Sequence, residues 1–288
     1  MEPAIFFIQV LNGVQYGLLL FLVASGLTLI FGIMGIINLA HGSFYMLGAY
    51  LAFSLTGMLG NFWLALLAGI LLSLAFGMIL EWLVMRLLYR RDHLYQVLLT
   101  YGLILVFEEL RSLLWGDDVH GVPVPAALDF SIPLTDTLSY QVYRLAMSAI
   151  CLAIGFGMYW LIQRTRLGMM IRAGSVNRDM VQSLGINIGL VYRLVFALGV
   201  ALAALAGMLA APVSSVFPGM GNQVLIISFV VVVIGGIGSV KGALVAALAI
   251  GLADTFGKVL APQIAGMVVY LLMAAVLLWR PQGIFGRA

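Results

Sequence analysis

The sequence predicts an all-α integral membrane protein, a polytopic bundle of about nine (eight to ten) transmembrane helices with discontinuous segments. Three observations predict it. Hydrophobic residues make up 64% of the 288-residue chain and charged residues 9%, whereas a soluble domain carries about 25% charged residues. That leaves too little polar material to coat a water-facing surface, and the mean hydropathy of +1.15 agrees. The charges are also segregated: none lies between Glu2 and Glu81, between Arg193 and Lys241, or between Lys258 and Arg280. Finally, the period-two alternation of a membrane β-barrel is absent, so helices are the spanning elements.

Apolar windows between polar or Gly/Pro breaks give the elements in order. The first covers residues 5–33; the Met-Glu-Pro start has no basic n-region, so no cleaved signal peptide is expected. The second covers 43–56, with the Gly-rich stretch 35–42 before it. The third and fourth cover 62–88 and 94–115, on either side of an Arg-rich turn. The fifth, 142–162, follows a Pro- and Asp-bearing loop, and the sixth, 190–212, follows an Arg-bearing one. The last three are 224–237, 242–260 and 265–279.

Arg86, Arg90, Arg91, Arg164, Arg166, Arg172, Arg178, Arg193, Lys241, Arg280 and Arg287 gather on one side of this arrangement. Glu2 and the loop with Asp117, Asp118, Asp129 and Asp136 lie on the other, with only Arg111, Arg144 and Lys258 as cations. The positive-inside rule then puts the N-terminus in the periplasm and the C-terminus in the cytoplasm. Eight spans remain an alternative, because 224–237 is short and the stretch around His41 could be re-entrant. The net charge of +3 reflects cations flanking the spans. No basic run with interleaved aromatics points to nucleic acid, and the bilayer is the expected partner.

Two loops are long enough to do more than connect. Residues 116–140 form the outer one. Residues 164–189 form the inner one, with a short helix expected after Ser175 or Asn177 as cap and ending at Gly185. On it Val176, Met180 and Leu184 share one face, while Arg178, Asp179, Gln182 and Ser183 fall elsewhere, a pattern for a membrane surface or a partner protein.

The run Gly35-Ile-Ile-Asn38-Leu-Ala-His41-Gly42-Ser43 is the strongest local signal. Polar groups at membrane depth are costly unless they face protein or a cavity, and glycines let a helix open there. The run reads as a discontinuous helix lining a permeation path, or as an interfacial turn. Gly235-Gly236-Ile-Gly238-Ser239-Val-Lys-Gly242 is a second break, suited to anion binding at a helix start or to a tight turn. The two breaks suggest a weak parallel internal repeat. Asp254 and Lys258, four residues apart, can pair along a helix, and Glu81 is expected near Arg86.

No catalytic set emerges. The nearest approach to a phosphate loop, residues 251–258, has five residues between its glycines and Val259 after the lysine, so ATP hydrolysis is not expected here. His41, His93 and His120 are scattered without metal-ligand spacing, and the lone Cys151 allows neither an internal disulfide nor a Cys metal site.

The run from Gly26 through Gly35–Ser43 to Tyr50 closely resembles the permeases of branched-chain amino acid ABC importers. So do Thr165-Arg-Leu-Gly-Met-Met-Ile-Arg-Ala173, Leu184-Gly-Ile-Asn187, the Gly235–Gly242 break and the ending Trp279-Arg-Pro-Gln-Gly-Ile-Phe-Gly286. The likeness covers essentially the whole chain, is strongest to the shorter, LivH-type subunits, and implies one permease domain over residues 1–288. It further implies a bacterial inner-membrane complex of two permeases (a hetero- or homodimer), two cytoplasmic ATPases that hold ATP and Mg²⁺, and a periplasmic amino-acid-binding protein. This chain itself would bind no cofactor. Residues 173–185 would press on an ATPase, with Arg172, Ala173, Asn177, Asp179, Met180, Leu184 and Gly185 as the coupling residues. Asn38, His41, Gly42, Ser43, Gly235, Gly236, Gly238 and Ser239 are the candidates beside the substrate path. The rival readings are the same architecture carrying urea, short amides or other amino acids, and an ion-coupled secondary transporter with Asp254 as its carboxylate.

Overall fold

A computed structural model describes residues 3–89, 91–133 and 138–286; Glu2, Arg90, Asp136 and Arg287, used in the charge reading, lie outside the described residues. In order the helices are α1 (Pro3–Met34), α2 (His41–Leu59), α3 (Phe62–Leu83), α4 (His93–Trp115), α5 (Val142–Arg164), α6 (Arg166–Val176), α7 (Arg178–Ser183), α8 (Ile188–Ala210), α9 (Met220–Gly235), α10 (Val240–Leu260) and α11 (Ala265–Trp279). Strands β1 (Ser131–Pro133) and β2 (Ser139–Gln141) form a small hairpin in the loop before α5. The fold is an all-α polytopic membrane bundle. Seven of the described helices are long and apolar enough to cross a membrane, the last being α11 continued from the 3-10 turn before it, Pro262–Trp279, 18 residues in all. The expected fourth and seventh spans fall short of that test: α4 carries Glu108, Glu109 and Arg111, and α9 has 16 residues.

Two expectations about element bounds need correction. The apolar stretch 62–88 is not one helix: α3 stops at Leu83, Val84 leaves helical geometry, and Met85–Leu88 form a 3-10 turn. The inner loop carries two helices rather than one. Thr165 caps α6 and Asn177 caps α7, each accepting a backbone N–H.

Glycine and alanine set the packing. The most apolar stretch of α1 is 89% enclosed and that of α8 72%, against 6% for the last span, so α1 and α8 form the centre and α11 the periphery. Apolar side chains gain little by association in lipid, so helices meet where small residues let backbones approach. α1 runs antiparallel to α10, with Gly13 against Leu252, Gly17 against Ala247 and Gly32 against Gly238. α8 runs antiparallel to α3, with Gly77 against Ala197 and Gly69 against Met208. α1 crosses α8 at Gly26 and Gly199. A Cβ on either glycine would lie 2.7 to 3.0 Å from the other's carbonyl oxygen.

The chain order shows an inverted pattern. α1 and α8 are each followed by a non-helical stretch (35–40 and 211–219) and then by α2 and α9, which begin side by side at Gly42 and Gly221. The Nε2 of His41 lies 2.9 Å from the carbonyl oxygen of Val23. Val23 precedes the end of α1 by eleven residues, about 16 Å of helix. The chain therefore doubles back along α1 before α2 starts, well inside the bundle. From that shared level α2 runs toward Phe62, which packs on Tyr143 at the start of α5. α9 runs the other way, to the turn whose Lys241 lies over Tyr159 near the end of α5. Two half-elements with opposed directions are the pattern of inverted-topology repeats. The structural counterpart of 35–40 is thus 211–219. The likeness between Gly35–Ser43 and Gly235–Gly242 pairs breaks that are not equivalent.

The described cations Arg86, Arg91, Arg164, Arg166, Arg172 and Arg178 lie on segments at the same end of the bundle as the α9–α10 turn, called here the arginine-rich face.

Candidate functional site

Gly35 ends α1 with φ of 65°, its N–H returning to the carbonyl of Phe31 at 3.0 Å. The next residues are not helical, so their backbone groups need other partners. α4 supplies them. Ile37 N–H donates to Gln96 Oε1 at 3.3 Å, and Ile37 O accepts from Thr100 Oγ1 at 3.5 Å. Gln96 is held by the carbonyls of Leu88 and Arg91 and by His93. Gln96 and Thr100, four apart on one face of α4, are buried.

Asn38 and His41 are fully buried, and Ser43 nearly so. Among the described residues neither polar atom of the Asn38 side chain has a hydrogen-bond partner, and the same holds for His41 Nδ1, Thr28 Oγ1 and Ser228 Oγ. A buried polar atom left unpaired costs about 1–3 kcal/mol, so these four side chains, with Tyr50 and Thr56 farther along α2 in the same condition, mark a departure from ordinary packing. Gly42 makes the junction possible: a Cβ there would collide with the carbonyl oxygen of Gly221, and one on Gly221 would lie 2.6 Å from Gly42 O.

The second break is built differently. Gly236 and Gly238 take φ of 93° and 80°, and Ser239 Oγ caps α10 by accepting from Gly242 N at 3.1 Å. The chain's last described segment closes over the turn. Ile284 N–H donates to Ile234 O at 2.8 Å and Phe285 N–H to Gly235 O at 3.1 Å. Gly235 and Gly242 pack backbone to backbone. The eight path candidates therefore form two groups. Asn38, His41, Gly42 and Ser43 sit beside the start of α9; Gly235, Gly236, Gly238 and Ser239 sit at its far end, about 20 Å of helix away.

The inner loop forms an elbow. Ala173 O accepts from Asn177 N at 3.1 Å, closing α6, and Asn177 Oδ1 accepts from Met180 N at 2.9 Å, opening α7. Asp179 lies in the first turn of α7, where the helix dipole favours a carboxylate. Gly185 follows α7 with φ of 81°. Arg172 donates to Ile162 O at the end of α5, and a Cβ on Gly174 would lie 3.0 Å from Ile188 at the start of α8. The elbow thus bridges α5 and α8. Val176 ends α6 and Leu184 follows the last residue of α7, so neither shares a helix with Met180 as the spacing suggested. All three are nevertheless exposed, at 76%, 62% and 70%, while Val181 turns inward.

Among the described residues four ion pairs complete the electrostatics, one of them Glu108 with Arg111 at 3.5 Å within α4. Glu81, 1% exposed, pairs with Arg193 at 3.0 Å rather than with Arg86, and Tyr89 OH donates to the same carboxylate, tying the end of α3 to the start of α8. Asp254 and Lys258 pair at 2.6 Å on α10. Arg111 pairs with Asp117 at 2.8 Å. Hydrogen bonds from Arg111 and then Ser112 hold the exposed Asp117 carboxyl below the usual carboxylate range.

Sequence reasoning missed Gly221, Gln96 and Thr100. The last two were visible as polar residues at helical spacing in an apolar stretch. Gly221 was visible only as part of the Pro-Gly-Met-Gly run that leads into the first turn of α9.

The chain matches the family model for the permease component of branched-chain amino acid transport systems over residues 9–277. It is 32% identical to the high-affinity branched-chain amino acid transport system permease protein BraD of Pseudomonas aeruginosa, over 97% of this chain and 95% of that protein. It is 31% identical to LivH of Salmonella typhimurium, a permease protein of the same description, over 99% and 97%. The probable branched-chain amino acid transport permease LivH of Methanocaldococcus jannaschii is 27% identical over 96% and 92%. No solved structure matches the chain at a significant level.

Proposed function

The chain belongs to the branched-chain amino acid transport permease family, and from that premise we propose how it works. It is a membrane-embedded permease subunit of an ABC importer, carrying leucine, isoleucine and valine while ATP is hydrolysed on partner subunits. The finer reading is a bacterial inner-membrane complex with a second permease, two ATPases that hold ATP and Mg²⁺, and a periplasmic binding protein. In it the arginine-rich face is cytoplasmic, the N-terminus is periplasmic, and α4 and α9 join the seven apolar helices as spans. The positive-inside rule supports that orientation.

One observation carries the mechanism: α2 and α9 both begin inside the bundle, at the Gly42–Gly221 contact, beside the unpaired side chains of Asn38 and His41. Interrupted helices of this kind place free backbone and polar groups at the depth where a zwitterion must cross. Closure of the ATPases would press on the exposed Met180 of α7 and Leu184 just after it and move α6, which touches the start of α8. α8 packs along α2 through Gly48 and Gly207, so its displacement would reach the junction. An ion-coupled mechanism finds no support at Asp254, whose carboxylate is already engaged by Lys258.

The test is uptake of radiolabelled leucine into vesicles holding the chain with its partner subunits. Uptake that requires both internal ATP and the binding protein is the expected result; uptake by this chain alone on an ion gradient would refute the importer reading. The coupling element has its own test. Gly185 takes a positive φ with open space where a Cβ would stand. Gly185→Val should distort the end of α7 while leaving assembly intact, lowering uptake at least fivefold without changing co-purification of the ATPases. Wild-type uptake would remove the α6–α7 elbow from the mechanism.

A further inference from the structure

An apolar groove of about 270 Å³ runs between α1, α5 and α10, open toward the outside of the bundle. Phe21 of α1, Leu152, Gly155 and Phe156 of α5, and Leu244 of α10 form its walls. Gly155 creates the depth: a Cβ there would lie 2.7 Å from the Phe21 ring. Cys151 lies at one end of the groove and Tyr159 at the other, so its length along α5 is about 12 Å. At the Tyr159 end the ammonium of Lys241 lies 5.5 Å from the tyrosine ring centroid. Among the described residues Lys241 is in no ion pair, and no carboxylate lines the groove.

We propose that this groove binds an anionic phospholipid, with one acyl chain between α1, α5 and α10 and the phosphate at Lys241. Charge and depth point to that occupant. The walls are apolar along a stretch lying within the membrane-spanning part of α1 and α5. The single cation stands in the first turn of α10 at the arginine-rich face, the level of the headgroups. Basic positions between spanning helices on that side are where anionic headgroups are held. Tyr159 presents a ring and a hydroxyl at the same level, as interfacial tyrosines do.

The full chain, purified in detergent, would be titrated with phosphatidylglycerol and with phosphatidylcholine of identical acyl chains and read by native mass spectrometry. Phosphatidylglycerol adducts should exceed phosphatidylcholine adducts at least fivefold, and millimolar inorganic phosphate should not displace them. Lys241→Ala, an exposed change, should equalise the two lipids. Leu152→Trp places bulk in the groove from a side chain that is 55% exposed and so should not disturb the core. It should lower both adducts several-fold at an unchanged thermal midpoint. Equal binding of the two lipids by the wild type, or an undiminished preference in Lys241→Ala, would overturn the proposal. So would a dimer of this chain that disappears in Leu152→Trp while no lipid adduct is seen, since the groove would then face protein.

Discussion

At residues 35–43 the chain leaves α1, doubles back beside it and starts α2 with Asn38 and His41 enclosed and partly unpaired. At residues 235–242 it leaves α9, turns at the arginine-rich face and starts α10 with Ser239 as a cap and the C-terminal segment bonded to its carbonyls. Both stretches are glycine-rich and both interrupt apolar helices. The first keeps polar side chains inside without satisfying them; the second satisfies its backbone and keeps little else. Glycine density therefore reports only that the backbone must bend or be approached. The polar side chains that travel with the glycines report whether the bend has chemistry to do.

The largest difference between the two should appear when a side chain is added. Gly42→Val would drive a β-branched group into the Gly221 backbone, where neither helix can yield. A cost above about 4 kcal/mol is expected, read as loss of monodisperse chain after detergent extraction. Gly238→Ala, in contrast, meets only Gly32 Cα at 3.5 Å, so its cost is that of the positive φ, about 1–2 kcal/mol. Recovery of well-folded Gly42→Val would break the contrast, because the α2–α9 junction could not then be as tight as described.

A second experiment separates polarity from packing. Asn38→Leu replaces an unpaired buried amide with an apolar group of similar volume. Removing such a group relieves a penalty of about 1–3 kcal/mol, so the thermal midpoint should equal or exceed that of the wild type. Leucine uptake by the assembled importer should nonetheless fall at least tenfold if the amide serves transport. Lower stability with unchanged uptake would show that Asn38 holds the fold through bonds not seen in this conformation, and would move the substrate path elsewhere.

The class of fold was legible because membrane burial is written in composition and in the spacing of charges. Helix ends were legible where a capping residue or a glycine stands, as at Asn177 and Gly185. What could not be read were relations between distant segments. Nothing in α3 says that Glu81 meets Arg193 rather than Arg86, since the pair joins residues 112 apart. Likewise the meeting of Gly42 with Gly221 depends on how α1 and α8 cross. The inverted pattern was hidden for the same reason: 35–40 and 211–219 correspond in position without sharing residues, while the glycines of 235–242 supplied a misleading local likeness.

The smallest predicted effect sharpens the comparison from the other side. Ser239 contributes one side-chain hydrogen bond to the first turn of α10, and losing such a cap costs about 1 kcal/mol. Ser239→Ala should therefore lower the thermal midpoint slightly and leave leucine uptake within twofold of the wild type, because the turn's remaining hydrogen bonds come from backbone that the substitution does not touch. A large loss of uptake at nearly unchanged stability would give the second break a part in transport equal to that of the first. The distinction between a satisfied turn and an unsatisfied interior bend would then no longer predict where the substrate passes.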